Sequence, residues 1–210
     1  MKTSTQRQDY LKHQIDDLSN HAFAGIKLYP PLGFDPWPEK NTAELDKVRF
    51  LYNYCVENEI PITTHCSDGG YVTDPQHDVY TDPTQWAKVL QEFSTLKLNF
   101  AHFGSQKHSQ AWRDEITNII DTYPNVYTDF AYNGVDDSFY LDMMEYFGKQ
   151  TKDKQEKLKN RILFGSDYLI NLLDIDSYDK YLQKFSATKT IDGNYKNLFC
   201  SENPEKFLFG

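Results

Sequence analysis

Five short apolar runs recur along the chain, about 30 to 38 residues apart, and a stretch of helical spacing follows each one. The runs are Gly25 to Tyr29, Ile60 to His65, Leu96 to His102, Asn125 to Asp129 and Arg161 to Asp167. Between them lie stripes at helical spacing: Leu45, Val48, Tyr52 and Cys55; Trp86, Val89, Leu90 and Phe93; Trp112, Ile116, Ile119 and Ile120. Phe139, Tyr140, Met143, Met144 and Phe147 form another, and Tyr178, Tyr181, Leu182 and Phe185 the next. Leu11, Ile15 and Leu18 predict a helix over 5–20, Asp82 before Pro83 marks a helix start, and a short helix is expected to close the chain from Asn203. The basic run Lys152 to Lys159, broken by acidic residues, reads as a solvated helix face. Strands alternating with helices demand crossover connections, which are right-handed, and these produce a parallel sheet.

The ends of the runs carry the chemistry. Four consecutive strands finish on His65, His102, Asp129 and Asp167. In a parallel sheet all carboxyl ends share one rim, so residues far apart in sequence gather there. Any one of them could simply cap a turn. Together, two imidazoles and two carboxylates suit a divalent cation, because nitrogen and oxygen donors bind zinc and catalytic zinc keeps a position open for water. Such a metal lowers the pKa of water and polarises a carbonyl, and a neighbouring carboxylate or imidazole can take the proton.

Charge and cysteine content remove other classes. A net charge of -9 gives nothing to neutralise phosphates, which argues against nucleic acid or an acidic membrane surface as partner. No apolar stretch approaches the roughly 20 residues of a membrane span, and the polar start lacks a signal-peptide core. Cys55, Cys66 and Cys200 are odd in number and far apart, which fits a reducing compartment, so a cytoplasmic protein with a small-molecule substrate is expected. Cys66 beside His65 invites a nucleophile reading, but strand alternation points neighbours to opposite faces and predicts a buried thiol.

In order along the chain, GIKLYPPLGFDP, PITTHCSDGG, LKLNFAHFG, NVYTDFAY, RILFGSDY and ENPEKFLFG resemble the carboxyl-terminal part of the amidohydrolase-2 family, metal-dependent hydrolases and decarboxylases on a TIM barrel. The resemblance implies an α/β fold: a partial TIM barrel of five parallel strands, numbers four to eight, with helices outside. Residues 1–210 would form a single domain lacking the first three β/α units. It further implies that His65 is a metal ligand, His102 an active-site histidine able to join the metal shell, and Asp167 a metal-associated aspartate that moves a proton. The metal would be divalent, zinc first. Lys27 follows strand four, where binuclear relatives of the wider superfamily carry a carboxylated lysine; an ordinary salt-bridged or substrate-facing lysine is the expectation here. Tyr29, Trp37 and Arg113 are expected to contact substrate, and Ser67 to Asp82 is long enough for a lid.

Two departures shape the expectation. A complete barrel has eight strands, and no two of the six histidines are separated by a single residue, so the family's His-x-His metal pair is absent. Open sheet edges would then call for a homo-oligomer or a complementary amino-terminal segment. The expected function is hydrolysis of a small carboxylic, amide or lactone substrate by metal-activated water. Alternatives are a decarboxylase on the same fold, or a catalytically silent barrel fragment serving as subunit or binding scaffold. A doubly wound sheet would gather the same residues at its rim but needs helices on both faces.

Overall fold

A computed structural model describes residues 24–105 and 109–210. The helix expected over 5–20, with His13 and His21, lies outside the described residues, as does His108. Five parallel strands form one sheet in sequence order: β1 (Ile26–Leu28), β2 (Ile62–Ser67), β3 (Leu98–Ser105), β4 (Val126–Asp129) and β5 (Ile162–Leu163). The connections carry α1 (Thr42–Glu57), then α2 (His77–Thr81) and α3 (Pro83–Glu92), then α4 (Ser109–Thr122), then α5 (Asp137–Gly148) and α6 (Lys152–Lys159). After β5 come α7 (Tyr168–Asn171), α8 (Tyr178–Ala187), α9 (Gly193–Asn197) and α10 (Asn203–Phe209). Side chains fix several starts: Asn41 accepts from the Glu44 N–H, Asp82 from Thr84, Asp136 from Ser138 and Asp192 from Tyr195. No helix among the described residues is long and apolar enough to cross a membrane.

Register decides which face is which. Ile26, Ile62, Leu98 and Val126 stand side by side, as do Leu28, Thr64, Phe100, Thr128 and Ile162. Of these, Ile62, Leu98, Phe100, Val126 and Ile162 join Tyr52, Trp86, Ile116, Met143 and Phe185 of the helices in the main core. The alternate row, Lys27, Thr63, Asn99 and Tyr127, faces the other way. On that face a separate small cluster unites only Tyr127 and Leu163 with Phe207 and Leu208 of the closing helix. A core on one face, with a largely polar opposite face, is a segment of β/α barrel and not a doubly wound sheet.

Phe130 anchors the aromatic part of that core. It is fully buried and its ring meets Phe139, Tyr140, Phe164, Phe185 and Phe199 at centroid distances of 5.6 to 6.1 Å. Rings from α5, α8, the residue after β5 and the segment between α9 and α10 converge on it, so truncation leaves a void that several elements cannot close together. Phe130→Ala is expected to cost about 3–5 kcal/mol, read as a lower denaturant midpoint at constant slope. A loss below about 1 kcal/mol would show that the cluster repacks freely.

Candidate metal centre

The strand that was expected to end at His102 continues to Ser105, with a bulge. His65 pairs with Ala101 and Ser67 with Ser105, so two steps on β2 face four on β3. His102, Phe103 and Gly104, three residues opposite Cys66 alone, all take left-handed backbone angles, φ 71°, 51° and 59°. Glycine is required at the third. A Cβ on Gly104 would stand 2.7 Å from the Cβ of Trp112 on α4. In a regular strand His102 would point toward the helices, like Phe100. The bulge turns it to the rim beside His65, and such re-aiming is what bulges near functional sites do.

A buried carboxylate holds the corner. Asp129 Oδ1 accepts from the backbone N–H of His102 (3.0 Å) and of Ala131 (2.9 Å), and Oδ2 accepts from Asn99 Nδ2 (2.6 Å). Asn133 Nδ2 donates to the His102 carbonyl (3.2 Å). Asp129 therefore serves as an anchor of the backbone that presents His102. Asn99, which sequence reasoning passed over, sits on the inward row; a polar side chain inside an apolar run was its one signal.

The two imidazoles meet at 3.1 Å, His65 Nδ1 to His102 Nε2. Their outer nitrogens face backbone oxygens: His65 Nε2 lies 3.0 Å from both the Ser67 and Gly69 carbonyls, and His102 Nδ1 lies 2.9 Å from that of Ala131. A carbonyl only accepts, so each outer nitrogen must carry a proton. Two neutral rings hold no further proton for the contact between them. The inner nitrogens then aim two lone pairs at a shared space, which only an added proton or another cation satisfies. Burial, the nearby His102 and the Lys27 charge depress the His65 pKa to about 3, so this ring does not take the added proton near neutrality.

The donor set fits a metal in the same terms. Ring N–H groups tied to backbone carbonyls are the usual outer partners of metal-bound histidines. Two nitrogens at about 2.0–2.1 Å from one zinc stand roughly 2.9 to 3.4 Å apart at ordinary coordination angles, which brackets the observed separation. Among the described residues no group of three or more His, Cys, Asp or Glu side chains is placed to hold an ion, so Asp167 is not drawn into one set with the histidines.

Asp167 nevertheless lies within electrostatic reach of Lys27 and Tyr29, the latter stacked on His65. It has left-handed angles (φ 58°, ψ 46°) just beyond β5, with no side-chain capping bond to α7. Its charge raises the pKa of Lys27 on β1 and of Tyr29 just beyond it. Lys27 keeps solvent access there. Surrounding protein still desolvates its ammonium and lowers its pKa, opposed by the charges of Asp129 and Asp167. Tyr29 stacks on His65 at 4.5 Å, and its hydroxyl accepts from the Tyr71 N–H at 3.1 Å. Gly70 makes that closeness feasible: its φ is 96° and a Cβ there would lie 2.3 Å from the Tyr29 hydroxyl.

Two residues expected to face substrate have other occupations. The Arg49 guanidinium covers Trp37 at 5.1 Å, in the loop after β1. Arg113 is buried, paired with Asp142 and packed over Phe103 at 5.5 Å, which ties α4 to α5. Trp37 also lines a hollow with Tyr80 and Gln85, whereas Arg113 is held between α4 and α5. His77 sits on α2 beside Asp78 (3.2 Å). The Cys66 thiol is buried, lies 3.7 Å from the Thr81 carbonyl and is held protonated by burial, so it is no nucleophile.

A one-sided α/β arc with paired imidazoles at the carboxyl ends of its strands defines a segment of a β/α barrel, with its candidate site at that rim. The chain belongs to the amidohydrolase family, whose model matches residues 6–210. Solved structures of similar fold include an uncharacterized TIM-barrel protein from Bordetella bronchiseptica, at 20% identity and TM-score 0.60, covering 99% of this chain and 63% of that one. A Lactobacillus casei protein named as a metal-dependent hydrolase has 16% identity and TM-score 0.60, over 96% of this chain and 59% of its own. An Acinetobacter baumannii protein named as a 2-pyrone-4,6-dicarboxylic acid hydrolase, solved with citric acid, has 16% identity and TM-score 0.58, over 94% and 68%. The chain thus spans about three fifths of the length of the first two and forms a partial TIM barrel. None of the curated proteins matches it.

Proposed function

We propose that this chain carries the metal-holding rim of a hydrolase that uses activated water on a small carboxylic, amide or lactone substrate. The observation that carries the reading is the facing pair of inner nitrogens, His65 Nδ1 and His102 Nε2, whose outer N–H groups are already committed to carbonyls. A divalent cation there would supply Lewis acidity, lowering the pKa of water toward about 7 and polarising a carbonyl. Zinc is the first candidate, since imidazole suits it. His65 and His102 would hold the ion, and Asp129 would keep the His102 corner in place. Asp167, within electrostatic reach of Lys27 and Tyr29, would accept and return a proton. Lys27 would steer a substrate carboxylate, and Tyr29 would wall the site beside His65. Further donors would come from barrel strands beyond the five described.

A second reading has its own support. Among the described residues no group of three or more His, Cys, Asp or Glu side chains is placed to hold an ion, as expected of a silent barrel scaffold. Elemental analysis separates the two. Protein purified without chelator and replenished with zinc is expected to hold about one divalent ion per chain, removable by chelator. Less than about a tenth of an equivalent after replenishment would favour the scaffold.

A further inference from the structure

The opposite end of the strands holds a second concentration of charge. Lys97, Asn125 and Arg161 each directly precede a strand, β3, β4 and β5, so they mark the amino-terminal end of the sheet, away from the histidine rim. Two hollows of about 480 and 230 Å³ adjoin there and share Pro124, Arg161 and Lys206 as walls. Their acidic lining is paired: Asp121 with Lys157 (2.5 Å), which Asp153 also contacts (3.3 Å), and Glu156 with Lys159 (2.6 Å). Arg161 and Lys206 have no ion-pair partner among the described residues.

Arg161 is also oriented in advance. Its guanidinium lies over the Tyr127 ring at 4.9 Å, and Nη1 donates to the Asn160 carbonyl at 3.1 Å. Tyr127 is itself fixed against Phe207 at 5.0 Å. A half-buried, stacked guanidinium keeps its remaining N–H fork for a planar or tetrahedral anion, and little entropy is lost when one docks. Lys206, exposed on α10, adds a second positive charge. In a chain of net charge -9, two uncompensated cations on one hollow are not the surface average.

We propose that this basal hollow is a binding site for a small dianion, with Arg161 as the fork, Lys206 as the second cation, and Tyr123 and Pro124 against the apolar body of the ligand. The dianion is a phosphoryl group or a dicarboxylate. Titration of the ¹⁵N-labelled full chain with inorganic phosphate and, separately, with succinate tests the site and distinguishes the two sources. At least one probe should give saturable amide shifts around Tyr127, Arg161 and Lys206, and the tighter one names the source. Lys206→Met and Arg161→Met should each weaken that binding about tenfold or more, and Lys40→Met should leave it unchanged. Lys206 is exposed, so its variant reads out even if Arg161→Met fails to fold. No saturation by either probe, shifts confined to the His65 and His102 rim, or unchanged affinity in Lys206→Met would each overturn the proposal. None of these outcomes depends on metal at the rim.

Discussion

Asp129→Ala is expected to unfold at markedly lower denaturant concentration than the parent, losing about 3–5 kcal/mol. The carboxylate is 7% exposed and receives three donors, the His102 and Ala131 N–H groups and Asn99 Nδ2. Alanine leaves the two backbone N–H groups buried and unpaired, and Asn99 Nδ2 keeps only its long contact to Thr63 Oγ1 (3.4 Å). The Asn133 bond to the His102 carbonyl remains, but the His102 N–H loses its acceptor, so the left-handed corner is expected to relax and the imidazole to move away from His65. Metal affinity should fall about 10–100-fold, the usual effect of losing a partner that orients a ligand. Asp129→Asn refines the point. Its oxygen can keep both backbone donors, but its amide then confronts the amide of Asn99, so a smaller loss of about 1–2 kcal/mol is expected. The Lys27 pKa should drop further in either variant, because the Asp129 charge is the largest influence holding it up. Alanine behaving like the parent in both melt and metal titration would remove Asp129 from the account.

His65→Ala and His102→Ala are each expected to weaken zinc binding by more than about a hundredfold, beyond what loss of an orienting partner costs. The double variant should add little, since either histidine alone leaves an incomplete pair. The two differ in their side effects. His65 also contacts Tyr29 and the Ser67 and Gly69 carbonyls, so its removal should loosen the segment after β2, visible as faster amide exchange there. His102→Ala should leave that segment protected. His77→Ala is the control: on α2, beside Asp78, it should change neither property.

Much of the scaffold was legible because its signals are periodic. The five strands fall on the five apolar runs, and the stripes from Leu45, Trp86, Trp112, Phe139 and Tyr178 became α1, α3, α4, α5 and α8. Lys152 to Lys159 forms α6, with only Leu158 buried, as a solvated face should. The five-residue α2 lay in a stretch read as an open lid, since one turn offers too few apolar positions for a stripe. The site was half legible. Strand ends pointed to one rim, but the bulge that brings His102 to His65 depends on three left-handed residues and a glycine against Trp112, which no periodicity encodes. Asp129 illustrates the same limit: residue type suggested a ligand or a cap, and only the third dimension shows the backbone N–H groups it receives. Trp37 and Arg113 were named for chemical type alone, and type does not say which face of the fold a side chain joins.

The central claim is that His65 Nδ1 and His102 Nε2 hold one cation between them. Anomalous diffraction at the zinc edge, from crystals equilibrated with zinc, addresses it most directly. The account predicts a peak about 2.0–2.1 Å from both nitrogens, with the outer ring N–H groups still on the Ser67, Gly69 and Ala131 carbonyls. A peak elsewhere, or two imidazoles still in direct contact with no peak beside them at saturating zinc, would contradict it.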